Sequence, residues 1–256
     1  MPRRKRPSIW LVLPVLLLVV MSLLPLAYVG LKAWQAGWAE ALHLLWRPYV
    51  FGLLRNTLAL MVGVTLTCGV IGLSLAWLLE RSNLPGRRLW GVILCLPFAV
   101  PAFVSSFTWV SLSASFEGLG GAILVMSLSK YPLIFLPVAA TLRNLDPSLE
   151  ESARTLGQNR WGVFFRVTLP LIRPALMVAV IFRMLDSLRI FDLVYVLTPN
   201  SAATKTMSVI SRENMIDFDK FAYGAAQSTL LFAILAIFVS LYIWLGRVDL
   251  SGDSKQ

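Results

Sequence analysis

Charged residues are scarce in this sequence. Only 14% of its 256 residues are Asp, Glu, Lys or Arg, while 57% are hydrophobic and the mean hydropathy is +0.74. An average soluble domain has about 25% charged residues, so this composition excludes an ordinary soluble fold. Several stretches with few charges exceed the roughly 18–20 residues that a helix needs to cross a membrane. The sequence therefore predicts an integral membrane protein.

Residues that commonly bind metals or perform catalysis are also rare. The two cysteines, Cys68 and Cys95, fall inside apolar stretches without a nearby His or acidic ligand, so we expect both to be small core residues. The single histidine, His43, lies in a loop beside Trp46 and Arg47, a setting typical of a membrane interface. A phosphate-binding P-loop is lacking as well. The sequence thus predicts no catalytic residue, no metal site and no cofactor bound by this chain.

Hydropathy places six transmembrane spans at about residues 9–31, 58–79, 89–115, 119–142, 175–197 and 221–245. Prolines interrupt three of these spans, at Pro14, Pro25, Pro97, Pro101, Pro132 and Pro137. Each proline leaves a backbone carbonyl without its partner, so we expect kinked helices packed against protein or a wet cavity. Proline is also commoner in membrane helices generally. The whole chain, residues 1–256, is predicted to be one membrane domain.

Membrane topology explains the net charge of +10 better than nucleic acid binding does, because the basic residues are not gathered on a soluble module. Most of them flank one side of the predicted bundle: Arg3, Arg4, Lys5, Arg6, Arg81, Arg87, Arg88, Arg143, Arg154, Arg160, Arg166, Arg173, Arg247 and Lys255. Fewer flank the other side: Lys32, Arg47, Arg55, Lys205, Arg212 and Lys220. Lys and Arg favour cytoplasmic loops, so both termini are predicted to be cytoplasmic.

The loop between the fourth and fifth spans, residues 143–173, is more elaborate than a simple connector. Asp146 is a candidate N-cap with Pro147 in the first turn, and Glu150 and Glu151 favour the positive end of the helix dipole. An apolar stripe follows at Leu149, Ala153 and Leu156. Gly157 is expected to end this helix in the left-handed conformation. These features predict a first short helix.

A second short helix is predicted after Asn159, which is a candidate N-cap. One face of this helix is expected to carry Trp161, Phe164, Phe165 and Thr168. The dipeptide Leu169-Pro170 is then expected to turn the chain back towards the membrane. The physical pattern alone also fits an amphipathic hairpin that lies on lipid headgroups.

The spacing in this loop resembles a known motif. Glu151-Ser152-Ala153, three residues, Gly157, nine residues, Val167, one residue and Leu169-Pro170 match EAA-x3-G-x9-I-x-LP, with Ser and Val as the departures. This is the EAA loop of permease subunits of binding-protein-dependent ABC importers, which share the methionine-importer-like permease fold. The resemblance implies that Glu151, Ser152, Ala153, Gly157, Leu169 and Pro170 couple the chain to an ATPase subunit.

The same resemblance implies the partners of the chain: ABC ATPase subunits that carry ATP and Mg, a second permease subunit, a solute-binding protein and membrane lipid. Residues 56–179 look like iron(III)- and thiamine-type permeases, whereas residues 182–250 look like permeases for carbohydrates such as α-glucosides and polyols. The two resemblances imply different substrates.

Four charges recur every three residues in the predicted fifth span: Arg183, Asp186, Arg189 and Asp192. On a helix this spacing brings opposite charges together. Charges facing lipid near the middle of a bilayer are costly, so this face is expected to point inwards. One hypothesis is that Arg183 and Asp186 border a translocation pathway while the other two approach its outer mouth. The alternative is a self-neutralising structural ladder.

Together these observations predict an all-α integral membrane protein of about six spans, with a cytoplasmic coupling-helix loop between spans 4 and 5. The predicted function is that of an ABC importer permease in a bacterial cytoplasmic membrane, which is not itself an enzyme. An ion-coupled secondary transporter that uses the Arg/Asp series is the alternative. A non-transporting membrane scaffold is a third class, which leaves the inward charges unexplained.

Overall fold

The computed structural model describes residues 9–35, 48–113, 116–197 and 204–246. Every regular element within these ranges is a helix, which confirms the all-α prediction. His43, Trp46, Arg47, the basic residues 3–6 and those after position 246 lie outside the described residues, so the predictions made for them stay predictions.

The helices follow one another along the chain with short connections. They are α1 (Ile9–Gln35), α2 (Pro48–Arg81), α3 (Arg87–Ile93), α4 (Leu96–Ala99), α5 (Ala102–Leu112), α6 (Leu119–Lys130), α7 (Pro132–Asn144), α8 (Pro147–Thr155), α9 (Arg160–Val163), α10 (Leu169–Arg189), α11 (Asp192–Leu197), α12 (Met207–Arg212) and α13 (Phe221–Gly246). Two π-helical turns, Phe164–Thr168 and Glu213–Asp217, follow α9 and α12.

Four helical segments are long and apolar enough to span a membrane, and a bent pair of helices makes a fifth candidate. The four are α2, α6 joined to α7, the continuous helix Arg160–Arg189, and α13. Helix α1 has 27 residues, so at about 1.5 Å per residue its length also suffices for a span. The second span begins ten residues before its predicted start at Leu58, because its first turns pack Val50 and Leu53 into a small core with Met207.

The predicted third span, residues 89–115, is not one continuous helix. Its two halves, Arg87–Ala99 and Ala102–Leu112, meet at an angle of 88°. Val100 is extended at the break, with φ −77° and ψ 126°, because the ring of Pro101 disfavours a helical conformation in the residue before it. The predicted kink is therefore confirmed here and is sharper than a simple bend.

The predicted fifth span, residues 175–197, also differs from the structure. Its helix begins earlier and ends at Arg189, where Ile190 is extended with ψ 118°. Asp192 starts the separate helix α11, which packs against α5. The two interrupted spans thus meet each other at α5 and α11.

The core lies where α2, α6, α7 and α10 pack together. Gly72 permits a close approach of α2 and α7 in it, because a Cβ atom there would lie 3.0 Å from the backbone nitrogen of Phe135 on α7. Cys68 is buried in this core, as predicted, while Cys95 is partly buried at its edge. Large apolar side chains on α1, α5 and α13 point outwards, as expected for surfaces that face lipid or a partner subunit.

Candidate functional site: the cytoplasmic coupling element

Helix α8 begins at the predicted N-cap. The Asp146 carboxylate accepts a hydrogen bond of 2.9 Å from the backbone N–H of Ser148, and Pro147 occupies the first turn. This hydrogen bond to the backbone, strengthened by the contact with the Ser148 side chain, holds the pKa of Asp146 below its usual value. The cap is therefore charged at neutral pH and satisfies one of the free N–H groups of the helix.

The predicted glycine turn is present as well. Gly157 has φ +84°, and its N–H donates to the carbonyl of Arg154 at 2.9 Å. The N–H of Gln158 donates to the carbonyl of Ala153 at 3.1 Å, so two nested hydrogen bonds close the end of α8. Asn159 then caps α9, as predicted, by accepting from the N–H of Gly162 at 2.7 Å.

The predicted apolar stripe on α8 does not form the buried face of this helix. Ala153 is buried, but Leu149 is 47% exposed and Leu156 is 82% exposed. Glu150 is buried in their place, because its carboxylate meets an arginine and a hydroxyl from neighbouring elements. The exposed leucines leave an apolar surface on α8.

The second short helix is also not a separate element. The chain continues as one helix from Arg160 to Arg189, so Leu169-Pro170 does not turn it. The π-helical turn Phe164–Thr168 precedes Pro170, and the N–H of Leu169 bonds the carbonyl of Phe164. This wider turn accommodates a proline, which lacks an N–H and clashes with the carbonyl four residues earlier in an α-helix.

The four residues predicted to share one face of that helix diverge around it. Trp161 and Phe165 are exposed and stack on each other with their ring centroids 6.2 Å apart. Phe164 packs edge-on against Trp77 of α2 at 5.9 Å, and Thr168 is buried. The helix therefore presents two aromatic rings outwards and anchors itself to the bundle with the other two residues.

The coupling residues implied by the motif differ in their exposure. Glu151, Ser152, Gly157 and Pro170 are exposed, Leu169 is partly buried, and Ala153 is buried beneath them. A depression of about 440 Å³ opens beside Gly157 and is lined by Gly157, Gln158, Asn159, Trp161, Gly162, Phe165 and Arg166. We call the exposed surface of residues 149–166 the coupling surface. It combines one free carboxylate, at Glu151, with apolar and aromatic groups.

Sequence reasoning missed two buried glutamates beneath the coupling surface. Glu150 lies at the junction of α8 with the rest of the bundle. The Glu80 side chain is fully buried near the end of α2, where Arg143 donates to it at 2.9 Å and Arg87 forms a second ion pair. One signal was available, because Glu80 is the only acidic residue between Glu40 and Glu117. An isolated acid at the end of an apolar run, beside arginines, is typical of a buried ion pair.

The charge series of the fifth span occupies two different environments. The Arg183 side chain is fully buried and pairs with Asp186 one turn later on α10, as the spacing predicts. The side chain of Asp186 is 37% exposed. The helix then ends at Arg189, so the break at Ile190 separates this exposed arginine from Asp192. The series is therefore one ion pair and two separate charges rather than a continuous ladder.

Arg189 lines a cavity of about 590 Å³ between α10, α12 and α13. The polar lining of the cavity comes from Arg189, Ser208, Ser211, Arg212 and Ser228. Arg212 forms an ion pair with Asp217 at 2.7 Å and lies over the ring of Tyr195 at 5.5 Å. No group of three or more potential metal ligands is found in the part of the chain that the structure describes.

Comparison with known proteins gives consistent matches. Residues 69–250 match the family of binding-protein-dependent transport system inner membrane components. An Fe(3+)-transport system permease protein of Haemophilus influenzae is 37% identical over 93% of this chain, which spans 46% of that relative's length. The sulfate transport system permease protein CysT of Escherichia coli is 32% identical over 93% of both chains.

Solved structures share the fold. A bacterial ABC transporter involved in the import of the acidic polysaccharide alginate superposes with a TM-score of 0.75 over 93% of this chain and 95% of that one, at 18% identity. At this level of identity the likeness concerns the fold alone. It agrees with the helix order described above.

Proposed function

The chain belongs to the family of binding-protein-dependent transport system inner membrane components, and from this premise we propose that it forms the solute pathway of an ABC importer. It is a multi-pass permease subunit rather than an enzyme, and ATP with Mg belongs to a separate ATPase subunit. A second permease subunit, identical or homologous, encloses the pathway. A solute-binding protein delivers the solute to the outer face, and both termini are cytoplasmic.

The coupling surface is the observation that carries the proposal. Glu151 and Ser152 stand free of the bundle, whereas Ala153 and Glu150 hold α8 against it. Exposed Leu156 and Trp161, which flank the turn at Gly157, offer apolar area that water solvates poorly. A partner with an apolar groove and a basic or N–H donor opposite Glu151 fits this surface, and the ATPase subunit is that partner.

Small solutes are proposed to pass beside the outer part of the fifth span. Asp186 and Arg189 are the two members of the charge series on α10 whose side chains have exposed surface. Arg183 is buried and acts through its pairing with Asp186. The cavity beside Arg189 is lined mainly by apolar side chains, and Arg189 and Arg212 are the charged groups in its lining that a polar or anionic solute could contact. The substrate is proposed to be a carbohydrate or an iron(III)- or thiamine-type solute, and the relative named for sulfate adds an oxyanion to the candidates.

An ion-coupled secondary transporter receives no support from the geometry. A relay along the fifth span would need neighbouring carriers at each step. The extended residue Ile190 separates Arg189 from Asp192, which lies on another helix. The Arg183 and Asp186 pair can be described as a structural ion pair without any relay.

The proposal is tested by isolating the protein from its host membrane in mild detergent and identifying the co-purifying proteins by mass spectrometry. The coupling variants are Glu151→Lys, which reverses the free charge, and Gly157→Pro, which forbids the positive φ and removes the N–H bonded to Arg154. The matched control is Glu117→Lys, the same charge reversal at an exposed residue away from the coupling surface.

We expect an ATP-binding subunit to co-purify with the wild type and the control but not with the two coupling variants. Recovery of no ATPase with a folded wild-type protein would contradict the proposal. Any co-purifying solute-binding protein can then be tested for binding of sulfate, iron(III), thiamine and maltose. Binding of one of these solutes would decide among the proposed substrate classes.

A further inference from the structure

We propose that Glu150 is a positioning residue that joins α8 to the inner ends of the second and fifth spans, so that movement of α8 is passed to both. The inference rests on the proposed docking of an ATPase at the coupling surface. It concerns a different question, namely which contact inside the chain transmits the movement to the membrane.

Three elements meet at one oxygen atom. Oε1 of Glu150 accepts a hydrogen bond from Nε of Arg81, the last residue of α2, at 2.9 Å. The same oxygen accepts from the hydroxyl of Thr168 at 2.9 Å. Thr168 belongs to the π-helical turn that leads into α10. Glu150 is thus bonded to both spans and not only to its own helix.

These contacts are shielded from water. The side chains of Arg81 and Glu150 are only 11% and 8% exposed, and Thr168 is 1% exposed. Nη2 of Arg81 is buried and has no hydrogen-bond partner in the described part of the chain. Removing the carboxylate would leave a buried charge unpaired, so breaking this contact costs more than breaking an ion pair in solvent.

The charged residues beside Glu150 are not shielded from water and do not connect α8 to other elements of the described structure. Glu151 is exposed and available to a partner protein. Arg154 is 51% exposed and lies 3.9 Å from Oε2 of Glu150 on the same helix. It therefore adds no connection between elements. Within α8, Glu150 is the carboxylate that faces the bundle, while Glu151 faces away from it.

The test uses the whole chain in complex with its co-purifying ATPase subunit. Hydrogen–deuterium exchange is measured by mass spectrometry with and without MgATP plus orthovanadate. Three peptides report on the linkage, covering residues 78–83 at the end of α2, residues 147–155 of α8 and residues 164–170 before α10. The variant is Glu150→Gln, which keeps the size but removes the charge, and the control is Arg154→Gln, which removes only the contact within α8.

In the wild type and the control, nucleotide is expected to change the exchange of all three peptides. In Glu150→Gln, the ATPase still binds and the peptide 147–155 still responds. The responses of 78–83 and 164–170 are expected to fall about fivefold or more, the lower end of coupling between sites. A purely structural role would instead change exchange in all three peptides equally, with and without nucleotide.

Undiminished responses of the two span peptides in Glu150→Gln would overturn the inference. If that variant does not fold, Thr168→Val decides, because it removes one hydroxyl at nearly constant shape and should weaken the response of 164–170 alone. Arg81→Gln combined with Glu150→Gln should be no worse than Glu150→Gln alone, since Arg81 acts here only through its contact with Glu150. Absence of an ATPase from the wild-type complex would refute the proposed function instead.

Discussion

The turn at Gly157 gives the sharpest quantitative prediction, because its conformation can be disturbed without any steric clash. A Cβ atom at this position would meet nothing within 4 Å, yet the residue has φ +84°. The effect of a substitution therefore comes from the backbone alone. A residue with a Cβ pays about 1–2 kcal/mol in the left-handed region, whereas Asn tolerates it better. We expect the stability of the turn to fall in the order Gly, Asn, Ala, Val.

Local opening of the turn can be measured by limited digestion with trypsin. Arg154 and Arg160 flank Gly157, and both are exposed. When opening and closing are fast compared with cleavage, the cleavage rate follows the population of the open form. A loss of 1–2 kcal/mol then raises the rate by about 5 to 30-fold. Protein solubilised in mild detergent makes these sites accessible to the protease.

Gly69→Ala is the matched control. A Cβ at Gly69 also meets nothing within 4 Å, but Gly69 lies inside α2 with an ordinary helical φ. This substitution should leave the cleavage rate unchanged, because alanine favours a helix over glycine. Equal cleavage of Gly157→Val and the wild type would refute the reasoning, since it would mean that the left-handed turn is not needed at this position.

Three further outcomes follow from the contacts. Gly224→Ala should lower the yield of folded protein, measured by fluorescence-detected size exclusion, because its Cβ would lie 2.7 Å from the carbonyl oxygen of Ser211. Gly69→Ala is again the control and should leave the yield unchanged. Asp146→Ala should speed tryptic cleavage after Arg154, whereas Asp146→Asn should not, since Asn also caps helices. The lowered pKa keeps the Asp146 cap charged through the usual aspartate range. Its stabilisation is lost only as the pH falls through that lowered pKa, so exchange protection of residues 147–155 should persist from pH 7 to about 4.

Local signals in the sequence were sufficient for the ends of the coupling helix. Asp146, Gly157 and Asn159 behave as predicted, because caps and glycine turns depend on residues within one helical turn. The sharp break before Pro101 is of the same kind. Each of these features is decided by backbone chemistry, which a sequence displays directly.

The failed prediction for α8 depended on distant residues. Leu149 and Leu156 fit an apolar stripe, but the bundle offers Arg81 and Thr168 on that side, so Glu150 is buried instead. Burial of this kind requires knowledge of which elements pack together.

The other two failures are local. The Leu169-Pro170 dipeptide suggested a turn, because its spacing does not show that a π-helical turn can accommodate the proline. Arg189 is separated from Asp192 because the helix ends at Arg189, which the spacing of the charges does not show.

The positions of the buried charges and of the helix breaks predict where the protein bends most easily. At the end of α2, the buried carboxylate of Glu80 joins Arg87 to Arg143, and Glu150 joins Arg81 to Thr168, so ion pairs and one hydrogen bond link these helix ends. The third span is extended at Val100 and the fifth at Ile190. A break interrupts the run of hydrogen bonds that stiffens a helix, so bending is expected to cost least there.

The outer pieces of both interrupted spans are also in contact, because α5 packs on α11 and the N–H of Gly118 donates to the carbonyl of Leu197 at 2.8 Å. We expect a displacement applied at the coupling surface to reach the membrane through these linked helix ends. It is expected to bend the chain most at Val100 and Ile190, next to α5 and α11. Rearrangement of the helices should therefore concentrate in α5 and α11.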